Sequence, residues 1–265
     1  MDIYDELIEK IEKESNLEEL LTKEDKWEYL YNFSNIRKNL LEWYDFKSDA
    51  SLLEIGAACG ALTSLFCERV KEVVALEEDE RKCKVNSARN KNYTNLRIVK
   101  TDYSNLNSLD VDTYDYVTVL GDLSAETIRF AVSKVKKGGK IIIAFDNKYG
   151  VKNWGSVFDK DGQFKSNIPD SSSNDSLVLT KESVEEFLKK EGIKEVSCYY
   201  PIPDYILPLE IYNEDSIPKS NILAAPSPSY IHEKIMFVDE VKAINEIIED
   251  GLFDKYANSF LLICG

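Results

Sequence analysis

The chain has 265 residues, 43% of them apolar, which allows one large or two small domains with a filled core and excludes a disordered chain. Thirty-three Lys and Arg stand against 48 Asp and Glu, a net charge of −15 at pH 7, which opposes contact with nucleic-acid phosphates or an anionic bilayer. Apolar runs such as Lys140–Phe145 fall far short of a membrane span, the acidic first residues are unlike a signal peptide, and the five cysteines (Cys59, Cys67, Cys83, Cys198 and Cys264) form no C-x-x-C pair. The expectation is a reduced, cytoplasmic protein with no nucleic-acid partner, no membrane insertion and no zinc or disulfide framework.

In chain order, residues 2–22 place Ile3, Leu7, Ile11, Leu17 and Leu20 at helical spacing. Trp27, Leu30, Ile36 and Leu40 continue the period in a second helix, with Thr22 as its N-cap. The first thirty residues hold eleven acids against four lysines, which reads as a solvated helix face. From residue 50 short apolar runs at 51–55, 72–76, 96–99, 116–120 and 140–145 alternate with helical stretches at 61–70, 79–91 and 124–135. That rhythm predicts a parallel sheet covered on both faces. Residues 137–140 read as a plain turn. All seven prolines follow residue 168, residues 159–176 form a polar loop, and Thr180 caps a helix that ends near Gly192. Residues 196–200 and 259–264 are two further strands, separated by a Pro- and Tyr-rich stretch.

The segment Leu52-Leu53-Glu54-Ile55-Gly56-Ala57-Ala58-Cys59-Gly60-Ala61-Leu62-Thr63 predicts a strand, a tight turn and a helix, the place where an open α/β sheet binds its ligand. A dinucleotide fingerprint starting at Gly56 requires glycines where Ala58 and Ala61 stand, and the P-loop lysine is missing. Instead Glu54, Gly56 and Gly60 resemble the E-x-G-x-G-x-G pattern of class I S-adenosylmethionine-dependent methyltransferases, with Ala58 in place of the middle glycine. Small residues let the backbone approach the cofactor's amino-acid part. Residues 27–155 further resemble the methyltransferases of bacterial cell-surface polysaccharide clusters, which are often encoded beside family 2 glycosyltransferases. That resemblance rests on Ser34–Tyr44 before the glycine turn and Asp146–Trp154 after the fifth strand, with Tyr199–Tyr205 and Asn258–Phe260 similar as well.

The resemblance implies a doubly wound, seven-stranded, mostly parallel Rossmann-like sheet with an antiparallel last strand. It divides the chain into a helical leader over the cofactor (1–46), the core (47–200), an insertion covering the acceptor (201–257) and the final strand (258–265). Cofactor contacts fall to Glu54, Gly56, Ala57, Ala58 and Gly60. Glu77, with Glu78 as the neighbouring alternative, meets the ribose hydroxyls; Asp102 and Tyr103 meet the adenine; Gly121 and Asp122 close the pocket. Arg37 pairs with the cofactor carboxylate or, alternatively, with leader acids. Tyr29, Tyr31 and Trp27 either close over the cofactor or belong to the core.

Catalytic candidates are Asp146, Asn147 and His232, the single histidine. Asp146-Asn147 also resembles the pair that divalent-cation-dependent O-methyltransferases carry there, with Asp122 displaced by one residue; Mg²⁺ is nonetheless not expected. Tyr199, Tyr200, Tyr205, Tyr212 and Tyr230, with Trp154, suit a carbohydrate platform or fill a lid. The expected reaction is methyl transfer to a small-molecule or glycan acceptor, a hydroxyl of a surface-glycan precursor, with a glycosyltransferase as candidate partner. The alternatives are a non-catalytic adenosyl-binding module on a glycosyltransferase and a nucleotide-dependent oxidoreductase.

Overall fold

The computed structural model describes residues 2–14, 16–109, 111–121, 123–158, 161, 163–166, 168, 177–219 and 234–265. Among them the strands are β1 (Ser51–Ile55), β2 (Glu72–Glu77), β3 (Leu96–Lys100), β4 (Tyr114–Leu120), β5 (Val135–Asp146), β6 (Ser156–Phe158), β7 (Phe164–Ser166), β8 (Val196–Ile202), β9 (Glu210–Asn213), β10 (Lys234–Ile235) and β11 (Ser259–Cys264). The helices are α1 (Ile3–Lys13), α2 (Leu20–Lys23), α3 (Trp27–Phe33), α4 (Thr63–Arg69), α5 (Glu80–Arg89), α6 (Ala125–Lys134), α7 (Lys181–Lys190), α8 (Glu240–Glu249) and α9 (Phe253–Tyr256).

Eight strands form the main sheet in the order β3-β2-β1-β4-β5-β11-β8-β9. The first five are parallel, and β11 runs antiparallel to both β5 and β8. The chain builds outward from β1 to β3 and then returns to the other side of β1 with β4, so a crevice opens beyond the carboxyl ends of β1 and β4. Alternating side chains serve two cores. Leu53, Val74, Val117, Ile141 and Ile143 pack against Ile128 of α6, Leu188 of α7 and Ile244 of α8. Leu52, Val73 and Ile142 pack against Leu65 and Phe66 of α4 and against Leu40 and Phe46. Because strands covered on both sides need apolar residues throughout, these runs were legible without any period-two alternation.

The leader closes a third cluster. Leu7, Leu20, Tyr29 and Phe33 pack on Val85 of α5, leaving the acidic face outward. It is more broken than the expected pair of helices. Asn16 caps a separate 3-10 turn at Leu17–Glu19, and a second 3-10 stretch at Asn35–Leu40 follows α3. Thr22 is not an N-cap: it lies inside α2 and donates to the Glu19 carbonyl, while Lys26 precedes α3.

Three further readings need correction. The sheet has an eighth strand, β9, paired antiparallel with β8. Residues 137–140 belong to β5, whose pairing with β4 shifts register there, with Gly138 at φ 78°. Phe164–Ser166, inside the expected polar loop, pairs with Ser156–Phe158 in a small second sheet. Thr180 does cap α7, and Gly192 at φ 95° follows its end. Among the described residues no helix is long and apolar enough to cross a membrane.

Candidate active site

The turn after β1 is shaped by three left-handed residues, Gly56 (φ 80°), Ala58 (φ 47°) and Gly60 (φ 76°). The Gly56 and Ala57 amides both donate to the Leu76 carbonyl, which pins the turn against β2. A Cβ on Gly60 would lie 2.4 Å from Asn86 Oδ1, so the glycine is required by packing as well as by φ. Ala58 is the costly member, since a side chain in the left-handed region loses roughly 1 kcal/mol or more. Its amide donates to Glu77 Oε2 at 2.8 Å, which offsets that strain.

Glu77 ends β2 and is buried. Its other oxygen accepts from the amides of Glu78 (3.0 Å) and Asp79 (2.9 Å), so the carboxylate organises two loops at once. Glu78 itself is exposed, so Glu77 is the one of the two acids bonded to the turn after β1. Tyr103 donates to the Leu76 carbonyl at 3.2 Å and stands beside Gly56. Asp102 is exposed and caps the following 3-10 turn through Ser104, whose hydrogen bonds hold its carboxyl below the usual range. Gly121, at φ 109°, follows β4 and faces the Tyr205 hydroxyl. Asp122 lies outside the described residues, as do His232 and Tyr230.

Glu54 and Arg37 form the floor of a narrow cleft whose lining includes Tyr31, Gly56, Ala58 and Leu120. Burial raises the Glu54 carboxyl to about 8, partly countered by a 2.6 Å hydrogen bond from Thr63 and by the Arg37 charge. Asn86 donates to Thr63, and Asn90 to Asn86, extending this network to the Gly60 carbonyl. Between the ordinary carboxylate pKa and about 8 the folded protein therefore holds a proton that the unfolded chain lacks. Stability from this group is full at low pH and lost as pH rises through that window. Glu54→Gln should remove the slope. In melts from pH 5 to 9 the variant's Tm relative to wild type is expected to rise with pH, and a pH-independent difference would refute the assignment.

Arg37 is 9% exposed, with its guanidinium 4.1 Å from the centre of the Tyr31 ring. Its Nε and Nη1 are buried with no hydrogen-bond partner in the protein. Two orphaned, charged donors beside a glycine turn fit the carboxylate of an amino-acid group, and the leader acids expected as the alternative do not take them. Of the other aromatics, Tyr29 is fully buried in the leader core, while Tyr31 lines the cleft.

A second group of charged side chains lies beyond β5. Lys152 bridges Asp146 Oδ1 at 2.5 Å and Asp204 Oδ2 at 3.2 Å. Asp204 is wholly buried and accepts from the Ile206 and Leu207 amides. The Asp146 side chain remains 42% exposed, with burial and Asp204 pushing its carboxyl up and Lys152 opposing them. Tyr205 completes the group: its hydroxyl approaches Gly121, and burial together with Asp146 pushes its pKa well up. Asn147 turns away. Its amide donates to the Lys255 and Ala257 carbonyls at 2.8 Å and its oxygen accepts from Tyr149, so it joins chain segments and neither touches an acceptor nor pairs with Asp146 as an oxygen ligand. Tyr200 is likewise core, packed against Phe253 and Phe260, and Trp154 meets Tyr256 edge to face. Lys152 and Asp204 were missed because their partnership spans 52 positions and no local pattern signals it.

Comparison with known proteins bears on this geometry. The family model described as ribosomal RNA adenine dimethylase matches residues 19–143. The ribosomal RNA small subunit methyltransferase A of Syntrophus aciditrophicus (strain SB) is 33% identical over 101 residues, 38% of this chain. The chain spans about a third of that relative's length. A solved S-adenosylmethionine-dependent methyltransferase from Archaeoglobus fulgidus shares the fold, with TM-score 0.51 and 16% identity over 86% of this chain and 92% of its own.

The chain has the fold of the class I S-adenosylmethionine-dependent methyltransferases. The fold stands as expected. The acceptor does not. The family model and the relative both name ribosomal RNA, which overturns the small-molecule or glycan acceptor, the polysaccharide setting and the exclusion of nucleic acid; neither rival reading gains support. The charge argument failed because net charge is a whole-chain quantity. Residues 31–155 carry nineteen cations against seventeen acids, so the acid surplus lies in the leader and beyond the core.

Proposed function

We propose that this chain is an S-adenosylmethionine-dependent methyltransferase that acts on RNA, at the exocyclic amino group of an adenine, with ribosomal RNA as the substrate class. The observation that carries the reading is the match of residues 19–143 to the ribosomal RNA adenine dimethylase model, a span that includes the leader's end and every cofactor-side strand. The acceptor groups lie beyond that span and suit the chemistry on their own terms.

S-adenosylmethionine, when bound, would supply an electrophilic methyl carbon to the adenine amino nitrogen, with S-adenosylhomocysteine leaving as the neutral thioether. An adenine amino nitrogen is a weak nucleophile because its lone pair is delocalised into the ring. An acceptor on its N–H localises that pair, and the half-exposed Asp146 carboxylate at the end of β5 is the acceptor in reach of the crevice. After transfer the nitrogen carries a surplus proton, which Asp146 can take and pass to water. Tyr31, which lines the cleft, offers an aromatic ring for a base lifted out of its stack, as single-stranded RNA recognition uses. Arg37 and the turn at 56–60 hold the cofactor's amino-acid end, and Glu77 its ribose.

The test is transfer of radiolabelled methyl groups to small-subunit ribosomal RNA, to partly assembled subunits and to an unrelated RNA, with nuclease digestion to locate the label. Methylated adenine in the first two is the expected result. A protein that binds the cofactor yet labels none of the RNAs would remove the reading.

A further inference from the structure

Three charged side chains come together where β5 ends. Asp146 ends β5, Lys152 sits in a 3-10 turn at Val151–Asn153, and Asp204 lies in the loop after β8. The lysine side chain is 10% exposed and Asp204 0%, so the ion pair between them is shielded from water and strongly felt. Two carboxylates on one ammonium would be wasteful as a structural staple, since Asp204 and Lys152 alone already neutralise each other. Asp146 is the member with an open side.

We infer that Lys152 is a positioning residue that fixes the Asp146 carboxylate toward the acceptor and, through Asp204, ties it to the loop carrying Tyr205. This rests on the proposed use of Asp146 and goes beyond it. The geometry explains why one loop must bring both groups. Asp204 Oδ1 takes the Ile206 and Leu207 amides and so fixes the loop, Oδ2 takes Lys152, and Tyr205 between them reaches Gly121 at the end of β4. The groups acting on Asp146 are Lys152 from the 3-10 turn and Asp204 and Tyr205 from the loop. Its ionisation therefore answers to both partners with opposite signs. The ammonium favours the charged carboxylate, and the buried second carboxylate opposes it.

The experiment reads Asp146 directly, by carboxyl-carbon NMR titration of the full chain, so it does not depend on knowing the acceptor. Lys152→Met should move the Asp146 midpoint up by about one pH unit or more. Asp204→Asn, which keeps an acceptor for the two loop amides, should move it down by about half a unit or more. Lys152→Arg should restore the wild-type midpoint to within about half a unit. Opposite shifts with unchanged affinity for S-adenosylhomocysteine establish the arrangement. If Lys152→Met does not fold, Asp204→Asn decides alone. Midpoints that stay put, or that move the same way in both variants, overturn the inference. In the RNA methylation assay, a kcat loss in Lys152→Met with unchanged KM for the cofactor is the matching result; no methylation by wild type would fault the substrate reading and leave the titration standing.

Discussion

Arg37→Met is expected to give a folded protein at least as stable as wild type that binds S-adenosylmethionine about 100-fold more weakly. The two halves of that result have one cause. A buried guanidinium with Nε and Nη1 unpartnered carries a desolvation cost that the contact with Tyr31 and the charge interaction with Glu54 offset only in part. Methionine fills similar volume without charge, and exchanging buried charge for apolar packing is commonly neutral or stabilising. The cofactor carboxylate, by contrast, loses charge-assisted hydrogen bonds of about 1.5–3 kcal/mol each, and one to two of them amount to the predicted factor. Calorimetric titration gives the affinity and thermal melts without cofactor give the stability. Wild-type affinity would place the cofactor carboxylate elsewhere, and a collapse of stability would make Arg37 a structural residue.

Glu77→Ala is expected to fail in both respects. The carboxylate serves the amides of Ala58, Glu78 and Asp79, and each amide left without an acceptor costs about 1 kcal/mol or more, so a loss near 3 kcal/mol is expected. Ala58 would also lose the bond that holds its left-handed conformation, and the cofactor turn would relax. Cofactor affinity should therefore fall together with the unfolding midpoint in urea. Asp102→Ala, at the end of the neighbouring strand, is the control: Asp102 caps one exposed 3-10 turn, so its stability loss should stay near 1 kcal/mol or below. Equal losses in the two variants would contradict the architecture described.

The sheet was legible in sequence because its strands are buried on both faces. Runs such as Ile141–Phe145 have no polar alternation to confuse, and the ends of the first four strands fell within two residues of the observed bounds, whereas β5 begins five residues earlier than read, at Val135. β9 was not legible. It is four residues long, lies at the sheet edge and sits among prolines, so neither its length nor its pattern marks it. Thr22 misled because a hydroxyl before an apolar period satisfies the N-cap pattern equally well when the preceding helix has not yet ended. At the site, Arg37, Glu54 and the glycine turn were local signals. Asn147 was misread because burial, invisible in sequence, decides whether an amide faces a ligand or the chain. The acceptor was misread because a resemblance centred on other segments, joined to a whole-chain charge, says little about the field at one crevice.

The position of β11 has a consequence for synthesis. It is the last strand of the sequence, yet it lies inside the sheet, hydrogen-bonded to β5 on one side and β8 on the other. As the chain leaves the ribosome, β1 to β5 with their helices can assemble by near-neighbour contacts, whereas β8 and β9 have no parent sheet to join until residues 259–264 emerge. The nascent chain thus passes through a stage with the cofactor half assembled, the β5 edge open and the Asp204 loop undocked from Lys152. The β5 edge open at that stage is a template for pairing with another chain.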